Sequence, residues 1–90
     1  MIQVILLKND IVLISEIEEV GSEIGEPDCL LRDPYQILGK HETESALEDR
    51  FVKWMADYTD NKKFMIRSDD VLTFMDPHEK LVEFYKKLTK

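Results

Sequence analysis

The chain has 90 residues, of which 43% are hydrophobic and 34% charged, and a formal net charge of −7. That length makes one domain, residues 1–90, whose own core is thin, because a chain this short buries only about 60 to 65% of the surface it exposes when unfolded. The composition is too apolar for a disordered chain, and the acidic balance argues against nonspecific binding to duplex DNA, where phosphate neutralisation supplies most of the affinity.

The charge is unevenly spread. Residues 1–45 hold ten acids and three bases, whereas residues 46–90 hold nine of each. Within residues 50–67, Arg50, Lys53, Lys62, Lys63 and Arg67 outnumber Asp57 and Asp60 and interleave with Phe51, Trp54, Tyr58 and Phe64. A focused anionic ligand is therefore compatible with the global charge. Cys29 is the only cysteine, which excludes an intrachain disulfide and a cysteine-based zinc site and reads as a small buried hydrophobe.

Met1 opens onto "IQVILL", which is too short for a signal-peptide core or a membrane span, so the chain reads as cytoplasmic. Residues 2–7 are apolar and β-branched and "KND" follows with turn formers, which predicts a strand entering a tight hairpin. Residues 11–20, "IVLISEIEEV", form the return strand, apolar on both faces at its start and alternating at its end, as in a sharply curved sheet. "GSEIGEPD", residues 21–28, is a loop. Residues 29–38, "CLLRDPYQIL", give a third strand. Pro34 lacks an amide donor and restricts Asp33 to extended angles, so this strand must bulge there or lie at an edge.

Residues 39–49, "GKHETESALED", are a polar excursion with room for a helical turn around Ala46 and Leu47, and Glu42, Glu44, Glu48 and Asp49 read as a solvated face. Residues 50–59, "RFVKWMADYT", read as a fourth extended segment with Trp54 and Tyr58 on one face. "DNK" turns the chain, and "KFMIR" and "VLTFM" follow as short strands. In the tail, Asp76 reads as N-cap, Pro77 as first helical residue and Glu79 as third, which predicts a helix over residues 77–89. Leu81, Val82, Tyr85 and Leu88 share its apolar face, and Lys86, Lys87 and Lys90 favour its C-terminal end.

The segment "IRSDDVLTF", residues 66–74, resembles the second signature of the Sm and LSm family: isoleucine, arginine, glycine, two polar residues, then an alternating apolar strand. Arg67 and Ser68 stand in the arginine and glycine places. Val4, Leu6, Lys8, Asn9, Asp10, Leu13, Ser15 and Ile17 resemble the first signature, with Asp10 at the turn glycine and Ser15 at the mid-strand glycine. The layout is also similar to divergent Sm-like proteins of marine phages, which would place the chain in the host cytoplasm.

The resemblance implies an all-β fold: a small, strongly bent, five-stranded antiparallel Sm-like (SH3-like) barrel, here with an insert near residues 39–59 and one C-terminal helix. It implies a closed homo-oligomeric ring of five to seven subunits, the fourth strand of one pairing with the fifth of the next. It also implies binding of single-stranded RNA or DNA, in the manner of an RNA-processing protein, with Arg67 repeated around a pore.

The candidate nucleic-acid residues are Arg67, Ser68, Lys62, Lys63, Tyr58 and Phe64. Two departures favour an alternative, an oligomeric assembly or protein-interaction subunit without nucleic acid: the loop "GSEIGEPD" lacks the family's aspartate and asparagine, and Arg67 has Asp69 and Asp70 at hand as turn partners. No nucleophile with a histidine and an acid at recognisable spacing, no glycine-rich phosphate loop and no metal set around His41 or His78 is legible. An enzyme, a cofactor, a membrane partner and a small-molecule substrate are not expected.

Overall fold

The structure, a computed structural model, describes residues 1–39 and 46–89. Strands β1 (Ile2–Leu7) and β2 (Val12–Glu19) form the expected hairpin. The Asp10 amide donates to the Leu7 carbonyl at 3.0 Å, Leu7 to that of Ile11 at 2.9 Å, and Asn9 Oδ1 accepts from the Ile11 amide at 3.2 Å. Asp10 takes φ +67°, a left-handed value its short polar side chain tolerates.

The remaining elements are β3 (Cys29–Ile37), a 3₁₀ turn (Leu47–Arg50), β4 (Phe51–Lys53), β5 (Lys63–Ile66), a second 3₁₀ turn (Ser68–Asp70), β6 (Val71–Met75) and helix α1 (Glu79–Leu88). Among the described residues, six strands make one antiparallel sheet in the order β4, β3, β2, β1, β6, with β5 also on β3. His41, Glu42, Glu44 and Lys90 lie outside the described residues, as does the side chain of Glu48.

The sheet curls. β5 and β6 lie at opposite ends of its path, four strand spacings of about 4.8 Å apart if it were flat, yet only residues 67–70 join them, largely as one tight turn. Curling brings the two ends towards each other, although β5 and β6 are not paired and the sheet is not closed.

A bulge in β3 organises the packing. Ile14 pairs with Tyr35 and Glu16 with Arg32, so Asp33 and Pro34 together face Ser15. The proline thus sits inside an interior strand at the interruption of the ladder, where its missing amide does no harm. Asp33 adopts φ +50° and not the extended angle expected before proline, because the extra residue must be accommodated by a local reversal.

One extra residue inverts the alternation of faces. Before the bulge Leu31 joins Ile5, Leu7 and Leu13 inside the curl; after it Tyr35 joins Val4, Ile14 and Tyr85 beneath α1. Ile5, Leu13, Ile14 and Leu31 are fully buried, each contributing about 1.5 to 3 kcal/mol. Cys29 is buried, as its composition suggested, and burial raises its thiol pKa.

Helix α1 covers the second cluster with Leu81, Phe84 and Tyr85; Phe84 meets Phe51 edge to face at 5.0 Å and Tyr85 meets Tyr35 at 6.1 Å. Leu88, expected on this face, is exposed. The helix starts two residues later than the sequence suggested. His78 is its N-cap, without a side-chain bond, because residues 76–78 span the distance from β6 to the helix, and the His78 carbonyl accepts the first intrahelical bonds from Leu81 and Val82.

The Tyr85 hydroxyl reaches the bulge: it accepts from the Glu16 amide at 3.0 Å and lies 2.8 Å from the Arg32 carbonyl and 3.0 Å from that of Asp33. Ser15, completely buried opposite the bulge, places its own hydroxyl 2.9 Å from the same Arg32 carbonyl. Groups the bulge removes from the ladder are thereby satisfied by side chains.

The fourth extended segment is much shorter than its composition suggested. β4 pairs only with Tyr35–Ile37, the part of the outer edge of β3 that lies beyond the bulge. The Trp54 amide adds a bond to the Pro34 carbonyl at 3.1 Å, and the chain then turns over residues 54–58 with Met55 at φ +63°. Trp54 and Tyr58 therefore share no strand face: Trp54 packs on Phe64, while Tyr58 is 84% exposed. No described helix is long and apolar enough to cross a membrane.

Candidate functional site

Arg67 leaves β5 in an extended conformation, and Ser68–Asp70 then turn the chain once into β6, closed by the Asp70 amide on the Arg67 carbonyl at 3.0 Å. Small polar residues suit so short a 3₁₀ turn because their side chains bond locally. The expected tight turn between two strands is present.

This turn is fastened to the loop between β2 and β3. The Ser68 amide donates to Asp28 Oδ1 and its hydroxyl to Oδ2, both at 2.7 Å, while the Asp28 amide donates to the Ile66 carbonyl at 3.1 Å. The Ser68 hydroxyl, followed by its amide, holds the Asp28 carboxyl below its ordinary pKa of 3.8. On the other side the Lys8 amide donates to the Asp70 carbonyl at 3.1 Å. Ser68 is thus a structural clasp, its hydroxyl committed to Asp28.

The Arg67 guanidinium is about half exposed, with Nε 3.4 Å from Asp70 Oδ2. A shallow hollow next to it is lined by Arg67 together with Glu23, Glu26, Asp28 and Asp69. With Asp70, five acidic residues gather near one arginine and make this end of β5 acidic, a poor setting for phosphate.

Lys62, Lys63 and Phe64 stand at the opposite end of β5, roughly 10 to 17 Å away at the usual rise of a strand. The Lys62 carbonyl accepts from the Asp33 amide at 2.6 Å, and the Phe64 ring lies 5.3 Å from that of Trp54. Lys62 and Phe64 line one hollow with Lys53 and Trp54, whereas Tyr58 borders a different depression with Val52 and Met55. The six candidate residues therefore divide: Arg67 and Ser68 at one end, Lys62, Lys63 and Phe64 at the other, and Tyr58 apart from both.

Sequence reasoning missed Asp28, which lies 40 residues from its partner Ser68 and carries no local motif. It also took Trp54 as a strand residue and did not mark Lys53, which does lie in β4, as a site residue, although the basic and aromatic interleaving over residues 50–67 marked their neighbourhood.

The third feature is the open edges. Among the described residues β6 is paired only through β1, and β5 and the short β4 only through β3, and Leu72, Phe74 and Met75 on β6 and Met65 on β5 are exposed. Together these observations define a small antiparallel β domain with a C-terminal helix packed on one face, open edges on β5 and β6 that expose apolar side chains, and an acidic surface at the Arg67 end of β5. The chain belongs to a family described as "Family of unknown function (DUF6561)", whose profile matches residues 1–90. No curated protein matches it.

Proposed function

We propose that this chain is a subunit of Sm-like, barrel type that joins copies of itself into a closed ring of five to seven, and that it serves as an assembly and interaction module. The observation that carries this reading is the pair of apolar edges. Unpaired strands with exposed Leu72 (58%), Met65 (47%), Met75 (40%) and Phe74 (38%) are aggregation templates in a monomer, and pairing β6 of one copy with β5 of the next removes both. The curl of the sheet and the short turn from β5 to β6 support the barrel; β4 is then an addition beside its fourth strand.

Light scattering on the purified protein tests the reading. The expected mass is five to seven times the 10.6 kDa of one chain. Leu72→Lys, on an exposed side chain, should lower it to that of the monomer without changing the circular dichroism. A wild-type monomer at micromolar concentration overturns the ring.

A second reading keeps single-stranded nucleic acid as ligand at Arg67, favoured by the half-exposed guanidinium on the turn. The surrounding carboxylates weigh against it. Anisotropy with labelled oligo(U) at low salt decides: Arg67→Ala should cost about 1 to 3 kcal/mol per engaged site if the arginine stacks on bases, and no change removes it from the interface.

A further inference from the structure

The bulge in β3 has an outer side as well as an inner one. β5 pairs with Cys29–Arg32 and β4 with Tyr35–Ile37, so neither strand lies beside Asp33 and Pro34. The two strands diverge around this interval, and the chain between them arcs over it, tied down at one end by the Trp54 amide on the Pro34 carbonyl and at the other by the Asp33 amide on the Lys62 carbonyl. The notch beneath the arc is a hollow of about 370 Å³. That lies within the size range of small-ligand sites, roughly 300 to 1,000 Å³.

Its lining has a definite chemistry. Trp54 and Phe64, half-buried and inclined to each other at 57°, supply aromatic surface. Lys53 and Lys62 stand on the rim, exposed, and neither takes part in an ion pair among the described residues. Asp33 and Asp60 complete the charged set and can only accept hydrogen bonds when ionised.

We propose that this hollow binds a nucleoside monophosphate unit whose base carries an exocyclic amine, with adenosine monophosphate as the simplest form. The base packs against Trp54 and Phe64, since every base offers a π face to an aromatic side chain. The phosphate lies between Lys53 and Lys62, whose ammonium groups act as point charges for it. Asp33 and Asp60, which would repel the phosphate, face the base instead, where a carboxylate accepts from an exocyclic amino group and rejects a carbonyl such as O4 of uracil. The same unit can be supplied by a free nucleotide or by one residue of a single strand. All lining residues belong to one subunit, so the site does not rest on the ring.

Trp54 is the only tryptophan in the chain, so its fluorescence reports the site directly. Titration of the wild-type protein with AMP should quench it saturably with a Kd below about 1 mM. UMP, and adenosine lacking the phosphate, should each bind about tenfold more weakly, and Lys53→Ala with Lys62→Ala should abolish the response to AMP. A short oligo(A) that competes with AMP identifies a strand as the source of the unit, and AMP binding without such competition identifies the free nucleotide. Leu72→Lys, remote from the hollow, should bind AMP as the wild type does. The proposal is overturned if neither AMP nor oligo(A) gives a saturable response, or if the response survives in the double lysine variant. Failure of the ring leaves both outcomes readable.

Discussion

Tyr85→Phe removes one oxygen from the place where helix, β2 and β3 meet. The ring keeps its packing against Tyr35 and its burial under the helix, so the apolar contribution of the side chain is retained. The Glu16 amide then loses its acceptor, and the Arg32 and Asp33 carbonyls lose a donor. A buried group left without its partner costs about 1 to 3 kcal/mol. For a domain of this size a loss of about 2 kcal/mol lowers Tm by roughly 8 to 16 °C, and with a urea m-value near 1 kcal/mol/M it lowers the midpoint by roughly 2 M.

Urea denaturation followed by circular dichroism measures this directly, and m should not change, since the variant exposes no more surface on unfolding. Ser15 shares the Arg32 carbonyl with Tyr85, so Tyr85→Phe and Ser15→Ala should be coupled by about 0.5 kcal/mol or more in a double-mutant cycle. A Tyr85→Phe protein within about 0.5 kcal/mol of wild type, the range of an uninvolved surface change, would show that the helix does not hold the bulge.

Other consequences can be read from the same contacts. The folded-state pKa of Asp28 is depressed, so its clasp on Ser68 contributes stability above the ordinary value of 3.8 that is lost as pH falls through the lower folded value; the Ser68 amide resonance should shift with a midpoint below 3.8, and not at all in Asp28→Asn. Burial raises the phenols of Tyr85 and Tyr35 above 10.0, so their contribution is complete below that pH and is lost as pH rises through the folded values; alkaline unfolding followed by circular dichroism should require less proton release in Tyr85→Phe. Met55 holds φ +63° on a turn, so Met55→Gly should raise stability by about 0.5 to 1 kcal/mol, the left-handed cost less the entropy of glycine, as thermal denaturation would show.

Much of the fold was written locally. The hairpin, the loop over residues 21–28 and the third strand each depend on turn chemistry and periodicity within a dozen residues, and each stands where those signals put it; the capping signals foresaw the C-terminal helix but set its start two residues early. The larger failures share one cause, the availability of partners. "FVKWMADYT" has the composition of a strand, but a strand needs an edge, and the outer edge of β3 is divided between β4 and β5 at the bulge. Only three residues find a place, and Trp54, turned out of the strand, closes over the core instead. The inversion of faces at Asp33 is equally invisible, because period-two reading assumes an unbroken ladder and would put Leu31 and Tyr35 on one side.

The same division separates what the linear order had joined. Lys62 and Arg67 lie five residues apart and look like one basic segment, yet β5 carries them to opposite ends, and the loops that meet each end decide its chemistry. At Arg67 the partner is the acidic loop before β3, clasped there through Asp28, so a cation is delivered among five acidic residues, Asp70 included. At Lys62 the partners are the bulge and the turn after β4, which bring a second lysine and a second aromatic ring. The length of β5 then separates an acidic surface from one where two lysines and two aspartates balance, and an anion approaching the domain would be repelled at the Arg67 turn and less opposed at the notch. Reversing that order with Glu23→Lys and Glu26→Lys should leave the notch untouched and make the Arg67 end attractive to single strands, a salt-dependent gain that anisotropy would detect and that the electrostatic reading requires.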